Sequence, residues 1–357
     1  MTTTTHSRTR AIVLRALVLT VLALGATFLL DSYTNYQLAV VAAYFCATAG
    51  LTLLVGLTGQ LSLGHGVLMA AGAYGYALAA GPAADAGLGG PLRFGLGILG
   101  ALVVSGAVGA LLGLAGARLR GPYLAGLTLA LVVALPALTS EIPGVGGDQG
   151  LGVPFEGVPD ALRGILGVEQ WHAWIAVIVT AVAVTPLAVM RSGRSGMRMR
   201  AVHGDEVAAK LAGVSPARVK TGAFVAGALS AGLGGAVLAV ATQNVSPGGY
   251  DLAFSLLLLV AVVIGGLGSI GGAAVGAALV VLLPWGINTL TAAAGLPADL
   301  EQRLSGNLAV LVFGGLLILV TVLWPGGLSH ALAGPTRRLT SRFRTTDQPV
   351  PQSLTER

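Results

Sequence analysis

Residues 191–220 read RSGRSGMRMRAVHGDEVAAKLAGVSPARVK. Long apolar runs flank this stretch on both sides, and it holds seven of the twenty Lys and Arg residues, including both lysines. Charged side chains are costly in hydrocarbon, so such an island belongs outside an apolar phase. Its middle, Asp205 to Gly213, predicts a short helix. Asp205 is placed to cap unpaired N–H groups at its start, and Gly213 followed by Pro216 is a stop signal. Val207, Leu211 and Val214 fall at i, i+4 and i+7, which makes one face apolar. A helix of this kind lies on a lipid surface, belongs to a solvated loop, or docks onto a soluble partner.

The rest of the chain supplies the apolar phase. Of its 357 residues, 55% are hydrophobic and only 10% charged, where a soluble domain carries about a quarter charged. The fold class is therefore all-α and polytopic, an integral membrane protein. A span needs about 20 apolar residues, and ten candidates follow: Ala11–Leu30, Leu38–Val55, Gly66–Ala80, Phe94–Ala117, Tyr123–Thr139, Trp171–Met190, Gly222–Ala241, Leu252–Leu267, Ala273–Leu290 and Gly306–Trp324. The 54 glycines include the pairs Gly109/Gly113, Gly268/Gly272 and Gly272/Gly276, spaced for close helix approach. Ten spans divide as five plus five. Since five is odd, the halves would be inverted, an arrangement found in many transporters. No sequence self-similarity marks the division.

Charge bias orients the chain. With the N-terminus inside, the inner segments hold seventeen Lys and Arg residues and the outer ones only Arg93, Arg163 and Arg303; ten of the fourteen acids fall outside. The expected organisation is a cytoplasmic N-terminus (1–10), a transmembrane domain (11–324) with an external loop at 140–170 and a cytoplasmic loop at 191–221, and a disordered cytoplasmic tail (325–357). Both termini are expected in the cytoplasm. The N-terminal apolar run reads as a retained span rather than a cleaved leader. The net charge of +6 follows from this topology. It points to the anionic inner leaflet of the membrane lipid, and no nucleic-acid partner is expected.

A second polar stretch, Gly56-Leu57-Thr58-Gly59-Gln60-Leu61-Ser62-Leu63-Gly64-His65-Gly66, carries no acid, Lys or Arg. It reads as a partly buried break between helices, a re-entrant turn. Irregular backbone at membrane depth requires protein cover or a water-filled cavity. Gln60, Ser62 and His65 either line such a cavity, as candidates for a translocation pathway, or satisfy freed backbone groups. A third break, Gly265 to Gly272, has little side-chain polarity, and close packing explains it. His6, His172 and His330 are isolated and fit surface or interfacial positions. No metal site is expected.

Catalysis finds little support. The chain has no Gly-x-x-x-x-Gly-Lys-Ser/Thr, HExxH, CxxC or Gly-x-Ser-x-Gly, so no P-loop hydrolysis of nucleotide is expected of it. Its spans are nearly empty of ionisable groups, which ion-coupled carriers commonly need. Polar breaks without energy-coupling chemistry suggest a pore-forming subunit driven from outside, with the short helix of the central island as its handle.

At these residues the chain resembles a known family, the inner-membrane permease subunits of bacterial ABC importers for branched-chain amino acids. GLTGQLSLGHGVLMAAGAYGYAL, GGDQGLGVP, the stretch from Ser192 to Ala239 and GGYDLAFSLLLLVAVVIGGLGSIGGAAVGAALVVLLP all look like that family's segments, covering Ala39 to Pro284. The resemblance is closer to the subunit type with the longer external loop. It implies a multi-pass protein of the cell inner membrane, paired with a second permease subunit, two ATP-binding cassette subunits and an external substrate-binding protein. The ATP is then used by the partners, and no cofactor is bound by this chain. It also implies a coupling helix at about His203–Val214, with His203, Asp205, Glu206, Ala208, Ala209 and Gly213 facing the ATPase. The chain departs from the pattern at Val207, where an Arg or Pro often follows the acidic pair. Because the family also imports urea and short amides, the cargo stays open between these and branched-chain amino acids. A stand-alone secondary transporter, a passive channel for a small neutral solute and a membrane scaffold are the remaining readings.

Overall fold

The computed structural model describes residues 2–119 and 121–293, and most of 311–329. The protein is an all-α polytopic membrane protein. Among the described residues, nine helices are long and apolar enough to cross a membrane. In chain order the helices are α1 (Thr2–Ala26), α2 (Ser32–Thr58), α3 (His65–Asp85), α4 (Gly90–Arg118), α5 (Pro122–Glu141), α6 (Val168–Ser192), α7 (Arg194–Gly204), α8 (Glu206–Leu211), α9 (Pro216–Thr242), α10 (Leu252–Gly265) and α11 (Ile270–Ala293). The tenth expected span is helical at its described residues between 311 and 323; the remainder of it, and almost all of the expected tail, lie outside the described residues.

The centre of the bundle is α9, which packs against α2, α3 and α4. Small residues make this possible. A methyl group added at Gly72 of α3 would stand 2.2 Å from the Gly232 backbone, and one at Gly235 would stand 1.9 Å from the Met69 carbonyl. Gly50 of α2 meets Gly227, and Gly234 meets the Ala43 carbonyl. The glycine pairs serve the same purpose. Gly109 and Gly113 seat α4 on Ala228, Thr221 and Phe224 of α9, while Gly272 and Gly276 seat α11 on Gly265 and Ala261 of α10. In lipid this packing replaces the hydrophobic drive between helices, and interhelical hydrogen bonds add to it. Ser230 Oγ donates to the Cys46 carbonyl at 2.7 Å, Thr48 Oγ1 to the Ala273 carbonyl at 3.1 Å and Thr180 Oγ1 to the Ala42 carbonyl at 3.0 Å.

Helices α2 and α9 are partners; α9 also lies on α3 and α4, and α2 on α6, α10 and α11. In contrast, α1 packs mainly on α6 and leaves most of its surface open.

At the end of the bundle opposite α7 and α8, the segment between α5 and α6 is tied down. Leu151 and Gly152 pair antiparallel with Val245 and Asn244. Glu156, 5% exposed, pairs with Arg93 of α4 at 2.9 Å and accepts from Tyr76 Oη of α3 at 3.1 Å. His172 is buried, not at the surface as its isolation in sequence suggested. Its Nε2 lies 3.1 Å from the Glu156 carbonyl oxygen, and its ring meets Phe155 edge-on. A buried imidazole needs such a partner.

Close packing of this kind makes a clear prediction. Gly235→Leu forces a side chain into the Met69 backbone, and overpacking costs about 1–3 kcal/mol or more. It should lower the yield of monodisperse protein in detergent roughly tenfold. Gly81→Leu, where nothing lies within 4 Å of the added Cβ, should leave that yield unchanged.

Candidate functional site at the end bearing α7 and α8

The polar island folds as two helices, not one. The helix expected from Asp205 to Gly213 is α8, and α7 precedes it over residues that carried no apolar repeat long enough to announce it. Within α7, Met199 and Val202 are buried at 3% and 2% exposure. Gly196 sits so close to the Arg191 carbonyl that an added Cβ would be 2.0 Å from its oxygen. Arg191, ending α6, donates from Nε to the Gly268 carbonyl at 2.5 Å, and so joins this end of α6 to the turn between α10 and α11.

The capping of α8 follows the sequence signals. Asp205 Oδ1 accepts from the N–H groups of Val207 at 2.7 Å and Ala208 at 3.1 Å. Gly213 adopts φ +79°, and the Gly213 and Val214 amides return to the carbonyls of Lys210 and Ala209 at 3.0 and 2.9 Å. A left-handed residue closing a helix in this way is best supplied by glycine. The expected apolar face is open: Val207 and Leu211 are 65% and 85% exposed, while Ala209 is buried at 4% and holds the helix to the body. Ala208 is exposed beside them. Glu206 forms an ion pair with Lys220 of α9.

The second polar stretch is a re-entrant segment. Helix α2 ends at Gly59, whose φ is +68°. An added Cβ there would lie 2.9 Å from His203 Nδ1, so the break touches the island directly. Residues 59–64 then run without helix, and burial alternates along them. Gln60, Ser62 and Gly64 are buried, while Gly59 and Leu61 are exposed, as in an extended chain with one face inward. Near the end of α2, Gly56 abuts Gly268. By Gly66 the chain has climbed to Ser255, whose Oγ accepts the Gly66 N–H at 3.2 Å. Ser255 stands ten residues along α10 from Gly265, a rise of about 15 Å. Helix α3 therefore begins at roughly half the depth of a bilayer hydrocarbon core, about 30 Å thick. Neighbouring protein covers the climbing backbone. Thr128 of α5 accepts the Leu63 N–H at 3.0 Å, and Gly64 lies against the Thr128 carbonyl.

The three candidates in this stretch separate. Gln60 lines a cavity of about 320 Å³ with Thr58, Leu61, Leu124, His203, Glu206 and Lys220. Its Nε2 is buried without a hydrogen-bond partner among the described residues, and Thr58 Oγ1 lies 3.2 Å from its Oε1. Ser62 and His65 are fully buried, turned into the protein; the Ser62 hydroxyl has no hydrogen-bond partner among the described residues, and the His65 ring faces the Ala47 backbone. The structure brings Gln60, His203, Asp205 and Glu206 to one vestibule, and Ala208 and Gly213 to the outer surface of α8. Sequence reading missed Lys220 altogether; its position in a charged stretch suggested solvation, yet it is only 5% exposed. The vestibule holds fixed charges and an amide, and among the described residues no nucleophile paired with a base. Among the described residues no group of three His, Cys, Asp or Glu side chains is placed to hold a metal.

A family model described as branched-chain amino acid transport system / permease component matches residues 33–321. The chain is 30% identical over 156 residues to the high-affinity branched-chain amino acid transport system permease protein LivM of Salmonella typhimurium (strain LT2), and equally so to that of Escherichia coli (strain K12). The aligned stretch is 44% of this chain and 32% of each relative, so it spans about a third of the length of the curated relatives. No solved structure matches the chain.

The capping geometry can be tested by itself. Asp205→Ala removes the acceptor for two amides, a loss of about 1 kcal/mol. Hydrogen exchange at Val207 and Ala208 should accelerate roughly fivefold, with no change in α9.

Proposed function

The chain belongs to the branched-chain amino acid transport permease family, and we propose that it is the membrane subunit of an ABC importer, forming with a second permease subunit the pathway for branched-chain amino acids. Partner ATPases bind and use the ATP, and this chain binds no cofactor and does no chemistry of its own. The permease lies in the cell inner membrane with both termini and the α7–α8 end in the cytoplasm, as the Lys and Arg bias indicates. An external binding protein delivers the substrate to the opposite end.

One observation carries the reading. Helix α8 is capped at both ends, anchored through Ala209 and Glu206, and presents Val207 and Leu211 outward without cover. A rigid short helix with an open apolar face fits a groove on a soluble partner. A merely solvated loop has no need of the apolar pair, and caps of this quality hold a helix that must keep its shape under load. In the proposed cycle, closure of the ATPases displaces α8, and the permease pair switches between inward- and outward-facing states whose populations the ligands shift. The re-entrant segment supplies the pathway side of the vestibule through Gln60 and Leu61, and His65 and Ser62 brace the start of α3.

The deciding experiment uses the assembled complex. Its ATPase rate is measured with the binding protein loaded with leucine, valine, urea or a short amide. Stimulation several-fold by leucine or valine supports the reading; stimulation by urea or the amide alone moves the cargo to those solutes. Uptake that proceeds without the ATPases, or collapses with the proton or sodium gradient, overturns it.

Two substitutions follow from the geometry. Gly213→Trp puts a bulky side chain at a positive φ, and Glu206→Arg sets two cations against each other. Each should reduce substrate imported per ATP roughly tenfold while the protein stays in the membrane. Gln60→Leu should slow uptake without loss of assembly; unchanged uptake kinetics would return Gln60 to a packing role.

A further inference from the structure

Glu206 has a partner within its own chain. Lys220 stands one turn into α9, and its side chain is 7% exposed against 33% for Glu206. An ammonium this far from water is tolerated only when paired, and among the described residues its ion pair is with Glu206. Asp205 Oδ1 accepts instead from the Val207 and Ala208 amides. The residue after Lys220 is fastened too: Thr221 Oγ1 donates to the Gly113 carbonyl of α4 at 3.0 Å. Helix α8 is thus attached to the first turns of α9 through Glu206, and α7, which leads into it, meets the end of α2 through His203. The vestibule lined by Gln60 lies between those points.

We propose that Lys220 is a positioning residue that carries displacement of α8 into α9, and that the Glu206–Lys220 pair sets how far the vestibule opens at Gln60 and Leu61. The inference rests on the importer reading and goes beyond it by naming the link inside the permease. Separating the pair would leave a buried cation without a counter-charge, so α8 and the first turns of α9 move together. Because α9 packs on α2, α3 and α4, its displacement reaches the walls of the pathway. The pair acts through α9 and does not touch substrate.

The test uses the full complex in proteoliposomes. The variants are Lys220→Met, Glu206→Gln, and the exchange in which Glu206→Lys is combined with Lys220→Glu. Each is measured for substrate imported per ATP, and for ATP-dependent thiol labelling at Leu61→Cys. The native Cys46 is fully buried and stays silent in the second measurement. Lys220→Met and Glu206→Gln should each lower the import ratio roughly tenfold and abolish the ATP dependence of labelling, and the exchange should restore both to within about threefold of the parent. A Lys220→Met complex that imports and labels like the parent overturns the inference. So does an exchange variant that assembles normally yet stays uncoupled. If Lys220→Met fails to accumulate, the exchange variant decides by the same two measurements. Failure of the importer reading looks different, because then the parent complex itself shows no ATP-driven import.

Discussion

The fold depends on how closely helix backbones approach one another around α9. In lipid, apolar side chains gain nothing by leaving hydrocarbon for a protein interior, so helices associate through van der Waals packing and interhelical hydrogen bonds. Both fall off within an ångström or so. At Gly72 against Gly232, and at Gly235 against the Met69 carbonyl, the added atom of any other residue would lie inside the neighbouring backbone. These contacts, with those of Gly227 and Gly234 to α2, set where α3 and α2 lie against α9. They also fix where the re-entrant segment runs between α2 and α3.

The re-entrant segment is the structural consequence of that arrangement. Helix α2 descends to Gly59, but α3 cannot start at the same level, because its glycine contacts with α9 set its height. The chain crosses the difference as six residues without helix. Thr128 of α5 accepts the Leu63 amide and Ser255 of α10 that of Gly66 just beyond, the protein cover that irregular backbone at membrane depth demands. The result is an uncharged segment with polar side chains inward and Leu61 outward. It touches the α7–α8 end where His203 meets Gly59. In the proposed importer, a motor acting on α8 meets the pathway there and at Lys220.

Much of this was legible in the residues. Asp205 as a cap, Gly213 as a stop and Val207 with Leu211 as an open face were all readable, because caps and short periodicities are local interactions within a few residues. The pairs Gly109/Gly113 and Gly272/Gly276 were readable as close approaches, though not their partners. The re-entrant character of residues 59–64 followed from the absence of charge beside apolar runs. Three features were hidden. Helix α7 lacks a long apolar repeat and is held by two buried residues, Met199 and Val202, against the body. His172 looked isolated because its partners, Phe155 and Glu156, lie in a different segment of the chain. Lys220 looked like one more basic residue of a solvated island.

The sequence by itself determined that this is a polytopic helical membrane protein with a polar island, a short capped helix in it and an uncharged break between its second and third spans. Hydropathy, charge bias and capping act over one helix turn or one span, and each is written in neighbouring residues. Only the tertiary structure decided that Gln60, His203, Glu206 and Lys220 share one vestibule, that Ser62 and His65 turn inward, and that the loop at 153–158 is fastened by Arg93 and Tyr76. Those outcomes depend on which glycine faces which backbone across the bundle. In a chain with 54 glycines, that choice is made by three-dimensional fit, which no local pattern records.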